Sequence, residues 1–137
     1  MGRVPIEKTR VYEMAREVSN RIYQEVAGWP AFPKQALGLQ LVRSADSIGA
    51  NLVEGDGRSY DLDSARFFDY AGGSCREAKH WITIAGDRNF IGEELRDEWL
   101  AAMDEIGKMV AGLMAYRRKN APLRTREERL GYDLSDE

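Results

Sequence analysis

The sequence predicts an all-α protein, an antiparallel up-down-up-down four-helix bundle, and three observations carry that expectation. Apolar residues recur at steps of three and four through four separate stretches, the spacing that lines side chains along one face of a helix. No stretch alternates convincingly between apolar and polar residues at period two, so no sheet is expected. The breaks between the four stretches are short and hold Gly, Pro, Asp and Asn, which suits tight connections between neighbouring helices.

Residues 1–8 contain Pro5 among mixed polar side chains and read as an arm outside the fold. Val11, Ala15, Val18, Ile22 and Val26 then define a first helix over residues 9–27. Gly28-Trp29-Pro30-Ala31-Phe32-Pro33 stops it, because proline cannot continue a helix interior and disfavours α at the residue before it. Trp29 and Phe32 are expected to fold back over the end of the bundle. Leu37, Leu41, Ala45, Ile48 and Leu52 define a second helix over residues 34–55, expected to end where Gly55-Asp56-Gly57 lets the chain leave through positive φ.

Ser59 and Asp61 are candidate N-caps for a third helix over residues 61–84. That helix carries one stripe at Ala65, Phe68, Gly72, Cys75, Lys79 and Ile82, and a second at Phe67, Tyr70, Ala71, Ser74, Ala78 and Trp81. Two stripes imply two contacts, more than one monomer core ordinarily requires. After the turn Gly86-Asp87-Arg88-Asn89, a fourth helix opens with Glu93 and Glu94 at the positive end of its dipole. Its stripe is Leu95, Trp99, Ala102, Ile106, Val110 and Leu113, and it runs to about residue 118. The bundle thus occupies residues 9–119, with a charged tail at 120–137.

At 137 residues and 43% hydrophobic, the chain suits one domain with one core. Its uncharged stretches fall short of the roughly 18 residues a membrane span needs. With no apolar leader either, a cytoplasmic protein without a membrane partner is expected. The single cysteine, Cys75, cannot make an internal disulfide and reads as an inert buried thiol. A net charge of -3 argues against a protein that mainly coats nucleic acid. The charges are nevertheless segregated: residues 61–112 hold six basic against eleven acidic side chains, and residues 113–130 hold six against two. Arg117, Arg118, Lys119 and Arg124 in that basic run are the candidate contacts to RNA or DNA.

Glu77-Ala78-Lys79-His80 has the Glu-x-x-His spacing of half a di-metal site. The other half would need a second histidine, and His80 is the chain's only one, so no metal or cofactor is expected. Glu54 and Glu77 pose a choice between an acid/base pair and a structural role. The structural reading is favoured, in which Arg43, Asn51, Glu54, Arg58 and Glu77 form a buried polar network that fixes helix register. Gly55-Asp56-Gly57-Arg58-Ser59 matches neither phosphate-loop pattern and follows a helix rather than a strand. Enzymatic activity is therefore not expected.

Several pieces resemble a known family. They are Arg43-Ser-Ala-x-Ser47-Ile48-x-x-Asn51-Leu52-x-Glu54-Gly55-x-Gly57-Arg58, then Phe67-Phe68, Gly73-Ser74 and Glu77, then Glu105-Ile106-Gly107-Lys108-Met109-Val110-x-Gly112-Leu113. In these the chain is similar to the four-helix-bundle proteins encoded in intervening sequences of bacterial large-subunit (23S) ribosomal RNA genes. The resemblance implies a left-handed antiparallel bundle that assembles as a homopentamer, with no established enzymatic activity. The chain is also similar to the accessory variability protein of diversity-generating retroelements, a pentamer that works with a reverse transcriptase and binds nucleic acid, although this chain is acidic rather than strongly basic. The expected function is a non-enzymatic, homo-oligomeric assembly or adaptor protein. An RNA- or DNA-binding accessory factor is the alternative.

Overall fold

A computed structural model describes residues 3–121, and all regular structure among them is helical. A 3-10 turn at Ile6–Lys8 precedes α1 (Arg10–Ala27), α2 (Leu39–Asp56), α3 (Asp61–Asp87) and α4 (Glu93–Lys119). A helical turn at Ala31–Pro33 and a π-helical turn at Lys34–Gly38 lead into α2 without a break. The four long helices fit a bundle, with α3 packed between α2 and α4, and α1 resting on α2 and α4.

Periodicity explains most of this core. α1 buries Val11, Ala15, Val18, Ile22 and Val26, the expected stripe. The hydroxyl of Thr9 caps that helix by accepting the Tyr12 amide and donating to the Ile6 carbonyl. Leu37, Leu41, Ala45, Ile48 and Leu52 are all buried as expected. On α3 the core face lies between the two expected stripes: Ala65, Phe68, Ala71, Cys75, Ala78 and Ile82 are buried, while Phe67, Ser74 and Trp81 are half-covered and Tyr70 is exposed. Trp99, Ile106 and Val110 carry the α4 stripe, joined by Met103.

Several local expectations are corrected. Trp29 does cover one end of the bundle, its ring 5.3 Å from that of Phe90. Phe32 does not; it is 80% exposed, on the outer side of the turn that starts the approach to α2. No described glycine has positive φ, and Gly57 leaves α2 at φ -80°. What Gly55 supplies is room, since a Cβ there would lie 2.7 Å from Phe68 Cε1. Asn89 takes the left-handed conformation, at φ 62°, in the turn between α3 and α4, which asparagine tolerates. Neither Ser59 nor Asp61 is the N-cap of α3. Tyr60, extended at φ -112°, holds that position without a side-chain cap, and Asp61 is already the first helical residue, its carboxylate accepting from Arg3 and Arg117.

The arm is also part of the fold rather than outside it. Ile6 is 2% exposed and belongs to the core, and its amide donates to Asp56 Oδ2 at 3.2 Å. The helix ends that bracket the α2–α3 turn are thus tied to the start of the chain.

Candidate interaction surface and a buried ionic cluster

Arg43 and Glu54 of the expected polar network share a side of α2, with Asn51 at its edge, but it is the outer side. Arg43 and Glu54 each lie two residues from a core position, Leu41 and Leu52, a displacement of roughly 200° around a helix of 3.6 residues per turn. Both are exposed, and Asn51 sits half-covered at the edge. Asn51 Nδ2 donates to the Ser47 carbonyl at 2.9 Å, and Ser47 Oγ donates to the Arg43 carbonyl at 2.8 Å. Glu77 is exposed on α3 and accepts from Trp81 Nε1 at 3.1 Å.

Of the five residues, the structure joins Glu54 and Arg58, at 2.6 Å. Arg58 also lies 3.7 Å from Asp63 and stacks over the Phe67 ring at 4.3 Å, so it bridges the α2 end to the start of α3. Arg43, Asn51 and Glu77 bond within their own helices or face solvent, and no buried set connects all five. The Glu54–Arg58 pair is solvent-screened, with side chains 55% and 37% exposed. Accordingly Asn51→Ala and Glu54→Ala should each cost less than about 1 kcal/mol in urea denaturation, since exposed pairs and local side-chain bonds contribute little. A loss near the roughly 3–5 kcal/mol of a broken buried pair would restore the buried reading.

The buried polar cluster of this protein lies elsewhere. Arg117, expected in a solvated basic run, is 3% exposed. Its Nη2 meets Asp56 Oδ1 at 3.2 Å, its Nη1 meets Asp61 Oδ1 at 3.3 Å, and its guanidinium carbon lies 5.3 Å from the Phe68 ring centre. A signal for this was present: Arg117 follows Leu113 by four and Val110 by seven, so it is the next member of the core stripe of α4. Arg118 and Lys119 are exposed and make no side-chain ion pair among the described residues. Arg124 lies outside the described residues.

Beside the outer row of α2, an open groove of about 1060 Å³ runs over α3 and α4, lined in part by Asn51, Tyr70, Gly73, Ser74, Gly107 and Met114. A Cβ added at Gly73, Gly107 or Gly112 would meet nothing within 4 Å. Cys75 lines the same groove, but burial pushes its thiol up to about 11, opposed by the charge of Lys79, which keeps it protonated and poorly nucleophilic. Among the described residues no group of three or more His, Cys, Asp or Glu side chains is placed to hold a metal ion, and no helix is long and apolar enough to cross a membrane. His80 is exposed and packs edge-on against Trp81.

The geometry offers a groove, an outer polar row and a buried structural ion cluster, and the comparisons agree with a helical protein of this kind. A solved protein of unknown function from the S23 ribosomal protein family of Bacteroides thetaiotaomicron has a similar fold, with a TM-score of 0.68 at 21% sequence identity, covering 76% of this chain and 97% of that one. No curated protein matches the chain. The sequence profile of the 23S rRNA-intervening sequence proteins matches residues 7–112, from the arm through most of α4. Since that match spans more than half of its length, the chain belongs to the 23S rRNA-intervening sequence protein family.

Proposed function

We propose that this protein is a non-enzymatic homo-oligomer, a pentamer of antiparallel up-down-up-down bundles, that acts as an assembly or adaptor protein. The antiparallel reading is supported by pairing order. Arg10 meets Glu105 and Arg21 meets Glu98, so α4 descends as α1 ascends. Lys79 with Asp104 and Asp61 with Arg117 run in opposite order along α3 and α4.

The observation that carries self-association is the groove over α3 and α4. Glycine inside a helix costs about 1 kcal/mol relative to alanine, and at the groove residues Gly73 and Gly107 an added Cβ would meet no atom of the same chain within 4 Å, so close packing within the subunit does not require them. A second copy seated there would cover the exposed Tyr70 and the half-covered Ser74. The number five comes from the resemblance. Light scattering at micromolar concentration should give about five times the subunit mass of 15.5 kDa, and Gly73→Arg should reduce it to one while leaving helicity intact. A subunit mass for the parent across that range removes this reading.

A second reading, a nucleic-acid accessory factor of ribosomal or retroelement type, is favoured by the exposed pair Arg118 and Lys119 at the end of α4. With Arg117 held by carboxylates, few phosphates are neutralised per subunit. The log-log salt slope should therefore be small, near 0.9 per duplex phosphate contacted or about 0.7 per single-strand phosphate. Arg118→Glu with Lys119→Glu should abolish retention of RNA or DNA at about 50 mM salt, where electrostatic binding is strong. No retention by the parent there ends the accessory-factor reading.

A further inference from the structure

The two carboxylates that hold Arg117 also hold the start of the chain. Asp56 uses Oδ1 for Arg117 and Oδ2 for the Ile6 amide. Asp61 Oδ1 accepts from Arg117 at 3.3 Å and from Arg3 at 2.8 Å. The cluster is thus two aspartates against two arginines, one buried and one on the arm. If the arm leaves, two carboxylates face a single guanidinium, and the pocket filled by the Ile6 side chain opens to water.

The arm's own hold is slight. Beyond the local bonds from Thr9 to the Ile6 carbonyl, its anchors to the rest of the bundle are one buried isoleucine, one amide to carboxylate bond, and an ion pair whose arginine side chain is 53% exposed. Ordering six residues costs several times more backbone entropy than one aliphatic side chain and one exposed pair return, so the closed arm also relies on its local bonds, from the Lys8 amide to the Pro5 carbonyl and from the Thr9 amide and hydroxyl to the Ile6 carbonyl. Of the arm's residues, Ile6 alone belongs to the core cluster that joins the four helices.

We infer that residues 3–8 form a latch that opens without unfolding the bundle, and that its closure keeps the Arg117 cluster dry and the last turn of α4 tightly held. Opening hydrates Asp56, Asp61 and Arg117 together, and loosens the helix end from which the chain continues beyond residue 121. The latch couples the two ends of the described chain through the α2–α3 turn.

Hydrogen exchange of the full-length protein tests this, comparing the parent with Ile6→Ala and with Arg3→Ala. In the parent, the bonded amides of Ile6, Lys8 and Thr9 should exchange at least about tenfold faster than core amides such as Ile48 and Ile82, because local opening is easier than global unfolding. Ile6→Ala should speed the arm amides by about a further tenfold and those of residues 116–120 by at least about threefold, with the core amides unchanged. Arg3→Ala, which removes an exposed anchor and leaves the core intact, should move the same two regions in the same direction by less. Three results would each overturn the latch: arm amides that exchange no faster than the core, variants that speed arm and core alike, or a freed arm that leaves residues 116–120 at the parental rate.

Discussion

Arg117→Ala is expected to lower the unfolding free energy by about 3–5 kcal/mol, because removing one partner of a buried ion pair strands the charge that remains. Here two charges remain, on Asp56 and Asp61, at 24% and 13% side-chain exposure. Partial access to water places the loss toward the lower end of that range. The alanine also removes the guanidinium that lies over the Phe68 ring, which adds the loss of that cation–π contact. The cause can be separated by replacing the cluster as a unit. Arg117→Met with Asp56→Asn and Asp61→Asn removes all three charges, so no buried charge is left without its partner. That triple variant should recover at least half of the loss in urea denaturation followed by circular dichroism. A single Arg117→Ala variant within about 1 kcal/mol of the parent would mean that the cluster behaves as an exposed pair.

Phe68→Ala is expected to cost about 3–5 kcal/mol, the range for truncating a fully buried aromatic side chain. The ring is 0% exposed and lies beneath both Arg117 and the end of α2. Its neighbour Gly55 makes a sharper test. Alanine at Gly55 gains helix propensity of about 1 kcal/mol, yet its Cβ would sit 2.7 Å from Phe68 Cε1, 2.9 Å from Cδ1 and 3.1 Å from the Phe67 Cβ. A buried ring cannot swing clear, so overpacking of about 1–3 kcal/mol should outweigh the propensity gain. In the Phe68→Ala background most of that clash is gone, and Gly55→Ala should become neutral or stabilising. A double-mutant cycle reads this as a coupling of about 1 kcal/mol or more. Additive effects would show that the approach at Gly55 does not limit the packing of α2 on α3.

The same two sites show where reading by spacing succeeds and fails. Burial of Leu41, Ala45, Ile48 and Leu52 follows from helical phase alone, and so does the exposure of Arg43 and Glu54 on the opposite side. Grouping those polar residues as a buried network treated a shared face as a core face. Arg117 poses the converse problem. Its phase continues the stripe of α4, while its charge and its neighbours Arg118 and Lys119 suggest a solvated helix end. The trait that decides between these is the presence of Asp56 and Asp61, about sixty residues earlier, and no local pattern encodes a pairing over that separation.

The sequence by itself determined the four helices and most of the core stripes of α1, α2 and α4, because each rests on periodicity within a few turns, while on α3 it offered two stripes and the core face lies between them. Tertiary structure alone decided that the arm is inside the fold, that Gly55 is there for the Phe68 ring rather than for positive φ, that Phe32 faces outward while Trp29 does not, and that Arg117 is a core residue. The physical reason is common to all four. Burying a charge, a ring or a strap depends on which distant groups arrive to compensate its lost water or entropy, and those groups are brought together only when the helices pack.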